Sequence, residues 1–132
     1  MSVIKILKSF RDVAMVGVSA NPDRPSNKVF QYLIENGYNV IPVNPTIDEV
    51  MGKKCYANLS AIPEKVEVVD IFRRSEDIPP IVDEAIKIGA KAVWMQEGII
   101  NNAAAKKAES AGLLVVMDKC MRKEHVRLIE NE

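Results

Sequence analysis

The sequence predicts a single α/β domain over residues 1–132, with helices on both faces of a five-stranded parallel sheet. Three observations predict this fold. Short apolar runs alternate with amphipathic helical patterns along the chain. Glycines follow most of the helical patterns, where a left-handed residue ends a helix. No internal repeat or linker divides the sequence. Right-handed connections between such strands give the expected strand order 3-2-1-4-5.

The chain begins with a helical pattern over residues 2–10, followed by an apolar strand over residues 13–16. Its continuous apolar character is typical of a strand that is covered on both faces. Residues 26–36 predict the next helix, with Ser26 as its N-cap and Gly37 just after its end. These elements form the first strand–turn–helix unit of the sheet.

The same alternation continues to the end of the chain. The remaining strands are predicted at residues 39–43, 66–72, 92–95 and 113–117, and the remaining helices at residues 78–88 and 101–111. Residues 46–63 are predicted to be a loop with at most one helical turn. Residues 118–132 are predicted to be a charged tail, which contains His125.

Composition excludes several classes of function. Lys and Arg together number 18 and Asp and Glu number 18, so a nucleic-acid partner is not expected, because such interfaces are strongly basic. Two cysteines and one histidine do not make a zinc site or a disulfide framework. No apolar run approaches the roughly 20 residues of a membrane span. We therefore expect a cytoplasmic protein without a metal site and without a membrane partner.

Polar and glycine residues follow each predicted strand, and the carboxyl ends of parallel strands meet at one edge of a sheet. We expect the ligand crevice between the strands that end at Gly17 and Met95. The candidate binding residues at this edge are Gly17, Val18, Ser19, Arg24, Ser26, Asn44, Pro45, Phe72, Arg73, Gln96, Gly98 and Cys120. Arginine, hydroxyl, amide and aromatic groups together suit a large anionic ligand that carries a planar base.

The turn after the first strand departs from the pattern of NAD-binding proteins. Ser19 stands where the second glycine of G-x-G-x-x-G would be, and Asn44 stands where an acidic residue would hold a ribose hydroxyl. Both departures argue against NAD, and the second leaves room for a ligand with an extra phosphate near its ribose.

Five motifs in order give the chain a resemblance to the small stand-alone CoA-binding domain proteins, which have a Rossmann-like fold. These motifs are Val16–Ser19 with Arg24–Ser26, Val43–Pro45, Asp70–Arg74, Trp94–Gly98 and Asp118–Cys120. The chain more distantly resembles the CoA-binding domain of the succinyl-CoA synthetase alpha subunit and of ADP-forming acyl-CoA synthetases. The resemblance spans about residues 8–128, and it implies coenzyme A as the cofactor, bound through its ADP portion.

The resemblance implies a role for most of the candidate residues. The Gly17–Ser19 turn would bind the diphosphate through backbone N–H groups and the Ser19 hydroxyl. Arg24 and Ser26 would contact phosphate, and the ribose 3′-phosphate is one alternative for Arg24. The other implied contacts are the ribose or adenine for Asn44 and Pro45, the adenine for Phe72, added charge from Arg73, and the pantetheine arm for Gln96 and Gly98.

No residue of the sequence is a convincing catalytic group, since the phosphorylated histidine of the synthetases lies in a further domain and His125 matches no motif. We therefore expect a CoA or acyl-CoA binding module without catalysis, as a homo-oligomer or as the subunit of a partner enzyme. A small NAD(P)-dependent oxidoreductase and an interaction protein with a vestigial nucleotide pocket stay open as alternatives. Cys120 is either an inert thiol or a partner for the CoA thiol in a mixed disulfide.

Overall fold

The computed structural model describes residues 2–130, which form seven strands and five α-helices. The strands are β1 (Asp12–Val16), β2 (Asn39–Val43), β3 (Glu49–Val50), β4 (Lys53–Lys54), β5 (Val68–Ile71), β6 (Ala92–Met95) and β7 (Leu114–Val116). The helices are α1 (Ser2–Ser9), α2 (Pro25–Glu35), α3 (Ile78–Lys87), α4 (Asn102–Ser110) and α5 (Met121–His125). Short 3-10 turns at Leu59–Ala61 and Ser75–Asp77 complete the connections.

Five of the strands form one parallel sheet in the order β2-β1-β5-β6-β7, and β3 and β4 form a separate antiparallel hairpin. The predicted fold class, a Rossmann-like α/β domain with a five-stranded parallel sheet, is confirmed. The predicted order 3-2-1-4-5 is wrong for its third strand. That strand, β5, pairs with β1 and not with β2, from Val13↔Val68 to Val16↔Ile71.

Proline explains why β2 lies at the edge of the sheet. Pro42 has no N–H to give to a neighbouring strand, so a strand that contains it is suited to an edge. Tyr56 occupies the outer side of β2 by an isolated parallel bridge to Val43. The Tyr56 N–H donates to the Pro42 carbonyl at 3.0 Å, and the Asn44 N–H donates to the Tyr56 carbonyl at 2.9 Å. A single residue thus stands where the prediction places a full strand.

The helices divide into two layers, and each layer buries its own apolar cluster against the sheet. We call the side of α1, α2 and α5 the first face and the side of α3 and α4 the second face. Phe30 and Trp94 are fully buried in the cluster of the first face, and Ile71 and Ile78 in that of the second. Alternation along the strands sends neighbouring side chains to opposite faces.

Two ends of helices differ from the prediction. Arg24, and not Ser26, is the N-cap of α2, because the helix begins at Pro25, where a missing N–H costs nothing. The predicted tail from residue 118 is largely helical: α5 is followed by a π-helical stretch at Val126–Glu130, and Leu128 and Ile129 pack on the first face. Residues 131–132 of that tail lie outside the described part of the chain.

The starts of α3 and α4 follow from their first residues. Asn101 caps α4 by accepting a hydrogen bond from the Ala104 N–H at 3.0 Å, and Pro79 and Pro80 lie in the first turn of α3. Within residues 2–130, no helix has both the length and the apolar character that a bilayer crossing requires.

Candidate functional site

The strand order reverses between β1 and β5, so the crevice at the carboxyl edge lies beside Gly17 and Phe72. The prediction that it lies between the strands ending at Gly17 and Met95 is wrong, because β5 separates those two strands. The Phe72 N–H donates to the Val16 carbonyl at 2.8 Å. Gly17 has a φ of +88°, and a Cβ atom there would lie 2.5 Å from the Phe72 carbonyl oxygen. Glycine is thus required here by its backbone conformation and by close packing.

A cleft of about 200 Å³ opens above Gly17 at the start of α2. It brings together five predicted residues and one neighbour: Gly17, Ser19, Arg24, Ser26, Phe72 and Pro25. Arg24 is exposed at its mouth, and Ser26 is buried in its wall. We call this cavity the small cleft. A helix N-terminus and an arginine side chain make it a favourable place for an anion.

Hydrogen bonds within the β1–α2 loop fix the shape of the small cleft. The Ser26 hydroxyl accepts from the Ser19 N–H at 2.9 Å, and the Ser19 hydroxyl accepts from the Asn21 N–H at 3.0 Å. The Asn27 side chain, which is 1% exposed, donates to the Ser19 carbonyl at 2.8 Å. Ser19 is therefore held on three sides before any ligand arrives.

Hydrogen bonds within the protein reduce the number of N–H groups in the Gly17–Ser19 turn that can bind a phosphate. The Gly17 N–H donates to the Val43 carbonyl at 2.8 Å, and the Ser19 N–H is used by Ser26, so neither is free for a phosphate. Val18 has a fully buried side chain, and its N–H makes no hydrogen bond within residues 2–130. The groups that remain for an anion are the Val18 N–H, the Ser19 hydroxyl proton and the N–H groups of the first turn of α2.

Asn44 links the ends of β1 and β2. Its amide nitrogen donates to the Val18 carbonyl at 3.0 Å, and its amide oxygen accepts from the N–H and the hydroxyl of Thr46 at 2.9 and 2.7 Å. The side chain therefore holds two loops together, and its contact with a ribose or adenine stays a prediction.

A larger cleft of about 320 Å³ lies beyond β1, toward the second face. Val43, Pro45 and Leu59 supply apolar wall, and the predicted residue Arg73 lies on its rim. Its carboxylates are Glu76, Asp77 and Glu84, of which Asp77 pairs with Arg73 at 3.9 Å. We call this cavity the large cleft. Apolar surface with carboxylate acceptors suits a planar base and hydroxyl groups better than it suits phosphate. Phe72, the predicted adenine contact, lines the small cleft instead.

A buried polar pair joins β5 to the end of β6. The Gln96 side chain donates through Nε2 to Asp70 Oδ1, and these residues are 4% and 0% exposed. Burial raises the pKa of the Asp70 carboxyl to about 7, and the hydrogen bond from Gln96 lowers the pKa by a smaller amount. Among the described residues, Asp70 Oδ2 is the buried side-chain N or O atom without a hydrogen-bond partner.

The far end of the carboxyl edge, after β6 and β7, holds Gly98 and Cys120. The Gly98 N–H donates to Asp118 Oδ1 at 2.6 Å, so it too is occupied. Cys120 is half-buried at the N-cap of α5. Trp94 is fully buried, and its indole N–H donates to the Lys119 carbonyl at 2.8 Å. Neither Gly98 nor Cys120 lines the small or the large cleft.

His125 is buried on the first face and lines neither cleft. Its Nδ1 lies 2.7 Å from the Tyr32 hydroxyl, and its ring packs edge-on against Tyr32 and Tyr38. Burial lowers the pKa of His125. The Tyr32 hydroxyl also donates to Glu130 Oε2 at 3.0 Å, and burial is the main cause that raises the pKa of Tyr32 to about 12. The cluster fastens the C-terminal helix to α2.

Sequence reasoning missed two residues that shape the site. Asn27 follows the N-cap region of α2 and gives no local signal that it reaches back to Ser19. Asp70 did give a signal, because it is a single acidic residue inside the continuous apolar run of a predicted strand. Such a residue is buried with the strand whatever its charge.

Comparison with known proteins adds independent information. A protein-family model described as a CoA binding domain matches residues 11–126. YneT of Bacillus subtilis, an uncharacterised protein, is 38% identical over 121 residues, which cover 92% of this chain and 90% of YneT. A solved structure of a hypothetical protein from Pyrococcus horikoshii has a TM-score of 0.93 at 46% identity, over 96% of this chain and 89% of that one.

A larger relative is an ADP-forming acetate–CoA ligase, form II, of Archaeoglobus fulgidus. It is 27% identical over 101 residues, which cover 75% of this chain but 15% of the ligase. The chain thus corresponds to a small part of that enzyme and to nearly the whole of the small relatives.

Proposed function

This chain belongs to the family of CoA-binding domains, and on that premise we propose that it binds coenzyme A or an acyl-CoA through the ADP portion. The observation that carries the proposal is the small cleft, in which Arg24, Ser19 and Phe72 surround the start of α2. It lies where parallel α/β sheets bind nucleotides, at the reversal of strand order.

The phosphates belong in the small cleft. The first turn of α2 offers N–H groups that have no partner within the helix, and the dipole of the helix favours negative charge there. Arg24 adds a full positive charge at the mouth, and it makes no side-chain cap bond that a ligand would have to break. Ser26 and Asn27 keep the loop in place, so little ordering is needed when the ligand binds.

The adenosine belongs in the large cleft. Its apolar wall offers contact to a base, and the carboxylate of Glu76 or Asp77 offers acceptors for hydroxyl and amino groups. Arg73 stands between the two clefts, since its side chain packs beside Gly17 while it lines the large one. A phosphate on the ribose would meet Arg73 there.

We also propose that the chain binds without catalysing a reaction and serves a separate enzyme, in the way that its larger relatives carry this domain as part of a ligase. Incubation with acetyl-CoA tests the first half of this proposal. The expected result is no release of free thiol above the rate without protein, measured with a thiol reagent. Release that grows in proportion to protein concentration would show an enzyme.

Native mass spectrometry of the protein as purified tests the binding itself, because it reports the mass of any ligand that is retained. Calorimetry then compares CoA, acetyl-CoA, NADH and NADPH on protein freed of ligand. We expect CoA or acetyl-CoA to bind more tightly than either dinucleotide. Tighter binding of NADH or NADPH points to an oxidoreductase, and binding of none of the four contradicts the proposal.

A further inference from the structure

Asp70 is an acidic residue at the centre of the sheet. In register it lies between Met15 of β1 and Trp94 of β6, and it is fully buried. Its neighbours Val69 and Ile71 belong to the second-face cluster, so alternation directs the Asp70 side chain to the first face. Burial of a carboxyl group with one oxygen unpartnered costs free energy that an apolar residue would avoid. An apolar residue at this position could not accept the hydrogen bond that Asp70 accepts from Gln96.

Gln96 connects this buried group to the carboxyl edge. Its backbone N–H donates to the Ile71 carbonyl at 3.4 Å, which puts it next to Phe72 and the small cleft. The Asp70 carboxyl holds the Nε2 end of the amide inward. The other end, Oε1, makes no hydrogen bond within residues 2–130 and is not fully buried. One end of the amide is thus fixed, and the other is an open acceptor.

Gln96 follows β6, which is the neighbour of β5 in the sheet. It therefore adjoins the part of the edge to which the proposed function assigns the nucleotide, within reach of the non-nucleotide arm of the same ligand. We propose that Asp70 is a positioning residue that orients the Gln96 amide, so that Oε1 accepts a hydrogen bond from an amide N–H in the non-nucleotide arm of the ligand. This inference rests on the proposed function. It assigns to Asp70 and Gln96 the preference of the protein for CoA over the nucleotide portion of CoA alone.

Calorimetry with two ligands tests the assignment: CoA, which has the amide-containing arm, and adenosine 3′,5′-bisphosphate, which lacks it. Gln96→Leu and Asp70→Leu should each weaken CoA binding by about 3- to 10-fold, the effect of one lost hydrogen bond. Neither should change the affinity for the bisphosphate. Asp70→Asn should bind CoA like the unmodified protein, because the asparagine oxygen still accepts from Gln96 Nε2. The double variant Asp70→Leu, Gln96→Leu should lose no more than either single one.

A purely structural role for Asp70 predicts other results. Asp70→Leu would then weaken both ligands equally or neither, and either outcome overturns the inference. Circular dichroism checks that Asp70→Leu is folded; if it is not, the CoA-to-bisphosphate ratio of Gln96→Leu decides alone. Unmodified protein that binds neither ligand contradicts the proposed function itself. Unmodified protein that binds both equally contradicts only the role of Asp70 and Gln96.

Discussion

The two faces of the sheet differ in where they bury polar groups. All five polar or charged residues that are buried within residues 2–130 lie on the first face or in its helices: Ser26, Asn27, Asp70, Gln96 and His125. Within residues 2–130 none of these five lies on the second face, where α3 and α4 pack apolar side chains against the sheet. Both faces cover the same sheet, so the contrast does not come from the architecture.

The difference between the two faces indicates which part of the chain the need for stability is sufficient to explain. An apolar core is sufficient to hold α3 and α4 on the sheet. The first face holds α2 and the strand ends at fixed positions around the small cleft, and hydrogen bonds specify position where apolar packing does not. Ser26 lines that cleft, Asn27 donates to the carbonyl of Ser19 in its wall, and the pair of Asp70 and Gln96 joins the adjacent strands β5 and β6.

The largest effect on stability should come from a substitution of Gly17, which follows the end of β1. Gly17→Ala imposes a strained φ and a clash with the Phe72 carbonyl, so we expect a loss of about 2–5 kcal/mol in the free energy of unfolding. Urea denaturation followed by the fluorescence of Trp94 measures it. Gly37→Ala is the matched control, because Gly37 has a φ of +90° but a Cβ atom added there would meet nothing within 4 Å beyond its chain neighbours. It should lose only about 1–2 kcal/mol, and equal losses would remove the close-packing argument.

The second prediction compares the two faces by the effect of substitutions on CoA affinity rather than on the free energy of unfolding. Arg24→Ala should weaken CoA by about 1.5–3 kcal/mol, because a charged hydrogen bond is lost, while the helix start stays intact. Lys28→Ala, an exposed cation one turn further along α2, should have little effect. On the second face, Ile78→Val should cost about 0.5–1.5 kcal/mol of stability and leave CoA affinity unchanged. Calorimetry on all three variants measures CoA affinity. If Ile78→Val weakened CoA binding as much as Arg24→Ala, the assignment of binding to the first face would be contradicted.

A smaller effect concerns Asp70 and pH. Its pKa in the folded protein is about 7, above its ordinary value of 3.8, so the folded state holds the proton more tightly. This contribution to stability is fully present below the ordinary value and is lost as pH rises through about 7. Asp70→Asn carries no ionisable group, and at pH 8 it should be more stable than the unmodified protein by about 1–3 kcal/mol. Urea denaturation at pH 5 and pH 8 measures the gap, which should narrow at pH 5; a gap that is independent of pH contradicts the prediction.

The smallest effect concerns His125, whose pKa is lowered from 6.5 by burial. The folded state favours the neutral ring, so stability is present above the ordinary pKa and decreases as pH falls below it. The sign is opposite to that of Asp70. In the background of Asp70→Asn, unfolding experiments should therefore show stability that rises between pH 5 and pH 7. Adding His125→Gln should flatten that rise, and an unchanged slope would assign it to another group.

Local patterns predicted most helices and strands, because apolar spacing and the signals for helix ends depend on residues that are close together in sequence. The position of β5 depended on Pro42, which lies in a different strand from the one that was misplaced. Five of the candidate residues at the strand ends line one cleft, and their roles in binding stay predictions. Which N–H groups are free was not predictable, because Ser26 and Asn27 reach Ser19 across seven and eight residues of chain.

The same Pro42 also bears on how separate molecules meet. The outer edge of a sheet is a template on which a second chain can add a strand and begin an aggregate. On β2 that edge has no N–H at Pro42, and Tyr56 already holds the Pro42 carbonyl and the Asn44 N–H. The strand carries no charged residue to repel another chain. Protection of this edge against strand addition therefore comes from a missing donor and one bridging tyrosine.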